Sequence, residues 1–343
     1  MSGSLEAPAY TFRRYEPADE DAVLEMLRVS LGDAPVEGFP VDFFRWKHHA
    51  NPFGRSFMLL AETGGEIAGL RAFLRWRFLV GDRPVLGVRA VDTATHPDHQ
   101  GRGVFSRLTR AALDALRDEV DLVFNTPNSK SLPGYLKLGW QMVGSVPIAV
   151  RVRRPIRFAA RYRKDGGESP PAPAVDAALA RDGLGDEAPI GSLLEAVASE
   201  AGGRTGLRTD RSAAYLRWRY ADVPGIDYHV VRHEDAGSLR GLAIFRVRPR
   251  RGLVEATVTE VLVPPGDRHA AATLLRAVAR AARVDHVTGH FWDGSTGARA
   301  ARRSMFVRPP GGLTLVVNPL RPVTPDPTDL ASWRLSVGDL ELF

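Results

Sequence analysis

The sequence predicts a mixed α and β protein, with antiparallel strands first and a β-loop-α-β unit after, laid out twice along the chain. Short apolar runs of strand length alternate with amphipathic helix patterns, and a glycine-rich turn near residue 100 stands between a strand and a helix. Trp46 and Gly69 return as Trp218 and Gly241, each 172 positions on, and a shared offset at two separated places argues for duplication. Tyr10 to Tyr15 reads as a strand, and Pro17-Ala18-Asp19 opens a helix whose Ala22, Val23, Met26 and Leu27 fall at helical spacing. Phe57 to Ala61 and Ile67 to Leu74 are strands joined by the turn signal Thr63-Gly64-Gly65, and Val85 to Thr95 is a further strand. Val104, Leu108, Ala111, Ala112, Ala115 and Leu116 then form one helix stripe. Leu122 to Asn125 is a brief strand, Ser131 to Leu138 a short helix, and Gln141 to Val152 the last strand of the first half.

The second half follows the same order, with a strand over Ala256 to Val263, Pro264-Pro265 and a helix over Ala271 to Ala282. Between the halves, Arg161 to Gly185 carries Lys164-Asp165-Gly166-Gly167 and Ser169-Pro170-Pro171-Ala172-Pro173, too little apolar surface to fold alone. The expected division is a first domain over 1–155, a linker over 156–190, a second domain over 191–322 and a tail over 323–343. That tail, with Trp333, Leu340 and Phe343, is too apolar to lie free and is expected to dock on a domain.

At 343 residues and 44% apolar content the chain is long enough for two ordinary cores. It has no cysteine, which excludes disulfides, zinc-thiolate sites and a covalent cysteine acyl-enzyme. No run of eighteen apolar residues and no basic-then-apolar start occurs, so the expectation is a cytoplasmic protein without a membrane partner. The formal charge is +6 and the sequence pI about 9.9, but Lys47, Lys130, Lys137 and Lys164 are the only lysines. The arginines are scattered in the manner of a high-GC bacterial composition, so no nucleic-acid partner is expected.

The chemistry concentrates in Thr95-His96-Pro97-Asp98-His99-Gln100-Gly101-Arg102-Gly103-Val104-Phe105. Glycines between a strand and a helix let backbone N–H groups converge on an anion, and the helix start adds unpaired donors and the positive dipole end, which suits a pyrophosphate. The second half has Asp267-Arg268-His269-Ala270 at this place, with an acid and no glycine. His96 and His99 flank the turn without a third ligand nearby, so no metal is expected.

Thr95-x-Pro97-x-x-Gln100-Gly101-x-Gly103 resembles the coenzyme A motif of the GNAT superfamily, from whose final Gly/Ala position Phe105 departs. Asn128, Ser131 and Tyr135, followed by Leu136-Lys137-Leu138-Gly139-Trp140, resemble that superfamily's Asn-x-x-Ala-x-x-x-Tyr-x-Lys-x-Gly-Phe segment, with Ser131 in place of Ala. The resemblance covers about 10–150, and the repeat implies a degenerate copy of the same fold behind it. It implies an N-acyltransferase with acetyl-CoA or another acyl-CoA as co-substrate, no metal, and a primary amine of a small molecule or peptide as acceptor. Ala94, Thr95, Gln100, Gly101, Arg102, Gly103, Val104, Phe105, Asn128 and Ser131 would bind coenzyme A, and Tyr135 would serve the departing sulfur. The base is left among Asp92, the C-terminal carboxylate of Phe343 and water, and His48-His49 falls where the acceptor cleft is often lined. A tandem-domain transferase with another acyl donor and a non-catalytic acyl-CoA sensor or scaffold are the rival readings.

Overall fold

The computed structural model describes residues 9–31, 40–162, 170–199 and 205–340. The chain forms two compact units, one of residues 1–76, 86–141 and 317–323, the other of 77–85, 142–316 and 324–343. These cuts differ from the divisions expected from composition, because a late segment of the chain returns to the first unit.

In the first unit, β1 (Thr11–Arg14) pairs antiparallel with β2 (Phe57–Thr63), and β2 with β3 (Glu66–Val80). The β2–β3 turn uses Gly64 and Gly65 at φ +60° and +85°, the left-handed region a tight hairpin requires. The sheet continues through β4 (Arg83–Thr95) to β5 (Leu122–Asn125), the last pair parallel; a late strand (Leu313–Pro319), of which only the last residues belong to this unit, and β6 (Gln141–Val146), which lies almost wholly in the second, follow in the strand order. Helices α1 (Glu20–Leu31) and α2 (Val41–His48) precede β2. Val23, Leu24, Met26 and Leu27 of α1 pack with Phe44, Leu60, Leu70 and Ala94 in one core, whereas Ala22, expected on that face, is exposed and Leu24 takes its place. Helix α3 (Val104–Leu116) buries Val104, Leu108, Ala112, Leu113 and Leu116, with Ala115 outside that stripe. Helix α4 (Leu132–Lys137) follows β5.

The run 141–152 is two strands instead of one. Pro147, which has no N–H to donate, stands between β6 and β7 (Ala149–Val152), and β7 pairs antiparallel with a strand of the second unit's sheet, His286–Gly289. The other edge strand of that sheet lies within the stretch expected as linker. After α5 (Pro155–Tyr162), β8 (Ala178–Leu179) pairs with β10 (His229–Asp235), while the short strand β9 (Arg208–Thr209) pairs with Phe78 and Leu79. Strands β11 (Ser238–Arg250), β12 (Leu253–Leu262) and β13 (His286–Gly289) give the order β7-β13-β12-β11-β10-β8, with β12 and β13 parallel. The helix Arg268–Ala281 packs Ala271, Leu274, Leu275 and Val278 into the core of this unit. The fold is thus mixed α/β, with two mixed sheets flanked by helices.

The repeated glycines have a steric cause. A Cβ on Gly69 would lie 3.1 Å from Val104 Cγ1 and 3.3 Å from the Ala94 carbonyl; one on Gly241 would lie 2.8 Å from Val263 Cγ1 and 3.1 Å from the Leu262 carbonyl. In each unit a strand passes so close to its neighbours that a Cβ would force them to give way, more so at Gly241 than at Gly69. None of the described helices is long and apolar enough to cross a membrane.

Candidate functional site

Strand β4 pairs with β5 only through Gly87, Val88 and Arg89, then runs on to Thr95. Where the two strands part, a groove of about 460 Å³ opens in the first unit, lined by Thr93, Ala94, Thr95, His99, Gln100, Gly101, Gly103, Val104 and Phe105, with Ser30 and Leu31. Seven of the residues expected to bind coenzyme A therefore share one wall. Arg102 is not in that lining. Asn128 and Ser131 are occupied elsewhere: Asn128 Oδ1 accepts from Lys130 N at 3.0 Å and Ser131 N at 2.9 Å, and Ser131 Oγ donates to it at 3.1 Å, which closes the turn into α4.

Gly101 and Gly103 both sit at φ +73°, and a Cβ on either would meet nothing within 4 Å. Backbone conformation, together with open space before the helix, sets the need for glycine. Gly103 is the N-cap of α3, no side chain caps that end, and its first turn holds no acid. The groove thus receives unpaired donors and the positive end of a thirteen-residue helix. These residues fit a pyrophosphate. In the second unit Asp267 occupies the corresponding cap, its Oδ1 accepting from Ala270 N at 2.9 Å.

Tyr135 is buried at the base of α4. Its ring packs edge-on against Phe105 and Trp140, at centroid distances of 6.1 and 5.1 Å. Phe105, the departure from the motif, therefore helps to hold Tyr135. The phenol oxygen lies 3.3 Å from Arg71 Nη1, which also donates to Thr93 Oγ1 at 2.7 Å. Arg71 is fully buried, its guanidinium 4.4 Å from the Phe73 ring centre and 5.3 Å from that of Tyr135; its Nε and Nη2 have no partner among the described residues. Arg71 was not singled out from the sequence, although a charge within the apolar run Ile67 to Leu74 is a signal that could have found it.

Asp92 stands on β4 at φ +39°, an uncommon conformation for a side chain other than glycine. Its carboxylate is held by Lys47 Nζ at 2.7 Å and His48 Nε2 at 2.9 Å, both from α2. Burial pushes the Asp92 carboxyl up, but Lys47, and then the hydrogen bond and charge of His48, outweigh burial and keep it well below the usual carboxylate range. Burial lowers the pKa of His48 against the pull of Asp92. His48 thus places Nε2 2.9 Å from the carboxylate and Nδ1 2.9 Å from Ser56 Oγ. A carboxylate committed in this way is a strong anchor and a weak proton acceptor. Lys47 and the link from His48 to Asp92 were not foreseen, because α2 and β4 are distant in the chain.

Stepping from Ala94 to Leu262, the two carbonyls that approach the repeated glycines, carries Asp92 onto Glu260. Glu260 is buried and accepts from Arg211 Nε at 3.1 Å, Tyr220 OH at 2.9 Å and Ser336 Oγ at 2.9 Å. Burial raises its pKa, Arg211 opposes, and Asp339 adds to the rise. Strands β12 and β13 also part after Val258 and Gly289, around a cavity of about 140 Å³ lined by Glu260 and His290 among others. In the tail, Trp333, Leu335 and Leu340 are buried, and Asp339 pairs with Arg211 at 2.6 Å within the same unit. Phe343 lies outside the described residues.

Residues 11–143 match the family model described as an acetyltransferase (GNAT) domain. Three similar solved structures share the fold over 91% of this chain. A GCN5-related N-acetyltransferase from Anabaena variabilis is 12% identical over 73% of its own chain, with a TM-score of 0.63. A probable N-acyltransferase from Enterococcus faecalis is 11% identical over 73%, at 0.61, and a GCN5-related N-acetyltransferase from Kribbella flavida is 15% identical over 71%, at 0.57. No curated protein matches the sequence. The glycine turn and the end of β4 lie in one stretch of chain, and that stretch, residues 11–143, is where this chain resembles a GNAT acetyltransferase domain.

Proposed function

We propose that the first unit transfers an acyl group, acetyl in the simplest case, from coenzyme A to a primary amine of a small molecule or peptide. The groove at the start of α3 carries this reading: Gly101 and Gly103 leave uncapped backbone donors facing open space, which suits the pyrophosphate of coenzyme A. Ala94 and Thr95 line the same groove, which suits the pantetheine arm. The amine nitrogen forms its bond to the thioester carbon, the carbon–sulfur bond breaks, the leaving sulfur takes the phenol proton of Tyr135, and the proton that the nitrogen gives up as it becomes an amide passes through water to restore the phenol. Asp92, fixed by Lys47 and His48, serves the acceptor side as an anion that holds an ammonium group, and the amine sheds its proton to water before attack. The second unit is a degenerate copy, a reading supported by the repeated glycines, the step from Asp92 to Glu260, and Asp267 in the place of the glycine turn.

Calorimetry with coenzyme A tests the assignment. Wild type is expected to bind coenzyme A at the groove, and Gly103→Glu to lose that site, because the added side chain is strained at φ +73° and brings a negative charge to the donors. Unchanged affinity in a folded Gly103→Glu protein would sink it. Release of free thiol from acetyl-CoA with a panel of polyamines, aminoglycosides, amino acids and peptides then separates an enzyme from a protein that only binds the donor.

A further inference from the structure

A second concentration of charge lies in the second unit, at the edge of its sheet. Arg151 stands on the edge strand β7 and Arg153 just past its end. Arg276 and Arg280 are one turn apart near the C-terminus of the helix Arg268–Ala281, and Arg283 follows that helix. Between them is a crevice of about 260 Å³, lined by Arg153, Arg154, Arg280 and Arg283 over a floor that includes Ala279 and Val284. Scattered in sequence, these arginines converge in space.

Their surroundings do not neutralise them. Asp285, fully buried, is the acid beside the crevice, and its ion pairs go to Arg157 at 3.4 Å and Arg154 at 3.9 Å. Among the described residues no carboxylate pairs with Arg151, Arg153, Arg276, Arg280 or Arg283. The Nη1 of Arg151 is shut off from solvent without a hydrogen-bond partner. Burial, followed by the charges of Arg153, Arg276 and Arg280, lowers the pKa of Arg151. The carbonyl end of the helix supplies only partial negative charge. Like charges gathered around a half-buried guanidinium destabilise the empty protein, and a multiply charged anion relieves that repulsion.

We propose that this crevice binds a phosphate-bearing anion, a free diphosphate or the phosphates of a nucleotide, gripped by Arg153, Arg280 and Arg283 with the charge of Arg151 beside them. Guanidinium forks match phosphate oxygens two at a time, and several cations around a bounded space answer a di- or trianion better than a single carboxylate. The crevice is separate from the glycine groove in sequence and in its lining residues, so this proposal stands apart from the acyl-transfer reading.

The test is calorimetry of inorganic pyrophosphate, and in parallel ADP, against the full-length Gly103→Glu protein, which removes the glycine groove from the measurement. One site is expected, weakening as salt is raised, with affinity falling by at least about tenfold in Arg280→Gln and in Arg283→Gln. Tighter binding of ADP than of pyrophosphate identifies a nucleotide as the source; equal binding identifies the free diphosphate. Melting curves supply an independent readout: Arg151→Met should melt higher than its parent without anion and lose the stabilisation that pyrophosphate gives. The proposal is overturned if pyrophosphate and ADP produce neither heat nor a melting shift. It is equally overturned if both glutamine variants bind as the parent does, if Arg151→Met melts lower without anion, or if only an oligonucleotide binds.

Discussion

Arg71 Nη1 donates to Tyr135 and to Thr93, and a guanidinium has nothing with which to accept. The phenol oxygen must therefore receive the bond from Arg71, and its own hydrogen is turned elsewhere, as the proposed transfer to sulfur requires. The buried charge also stands where negative charge gathers as that hydrogen departs. Two substitutions examine this. Tyr135→Phe should lower kcat by about ten- to a thousandfold with the donor KM little changed. Arg71→Met should lower kcat in the wild-type background and have almost no effect in the Tyr135→Phe background, because it acts through the hydroxyl. If the two losses multiply in the double variant, Arg71 does something other than orient Tyr135.

The turn that carries most of the site was legible because its requirements are local: positive φ at Gly101 and Gly103 leaves a mark in the residue types themselves. The repeated Gly69 and Gly241 were legible as a pattern but not as a cause, since the atoms they make room for lie on other elements. Gly241 is the tighter of the two positions. Gly241→Ala should destabilise by about 1–3 kcal/mol through overpacking against Val263 and Leu274, and Gly69→Ala by less, as read from denaturant midpoints. An equal or reversed order would mean that the strands yield more easily than the close contacts imply. Asp92 was found from its place on β4, but its partners were not. Lys47 and His48 reach it only because α2 packs beneath the sheet, and no spacing in the sequence records that contact. The break at Pro147, by contrast, was available in the sequence and was passed over by a reading that followed the apolar run alone.

On the scale of the molecule, composition suggested a boundary near residue 155, yet Val317–Val323 belongs to the first unit and Arg77–Val85 to the second. Each unit is assembled from separated pieces of chain. A fragment of residues 1–155 lacks one of those pieces and should show low thermal stability and loose packing by near-ultraviolet circular dichroism, whereas the full chain should melt cooperatively. A fragment that melts like the full protein would show that the returning segment is dispensable. The two units also differ in how one helix begins. Asp267 places a carboxylate on the first donors of its helix, tethered within a single residue's reach, so any dissolved anion must displace a competitor whose local concentration never falls. That helix start is in this sense permanently self-inhibited. On the proposal that the second unit is a degenerate copy of the first, one of two seats for one ligand has been filled by the chain itself.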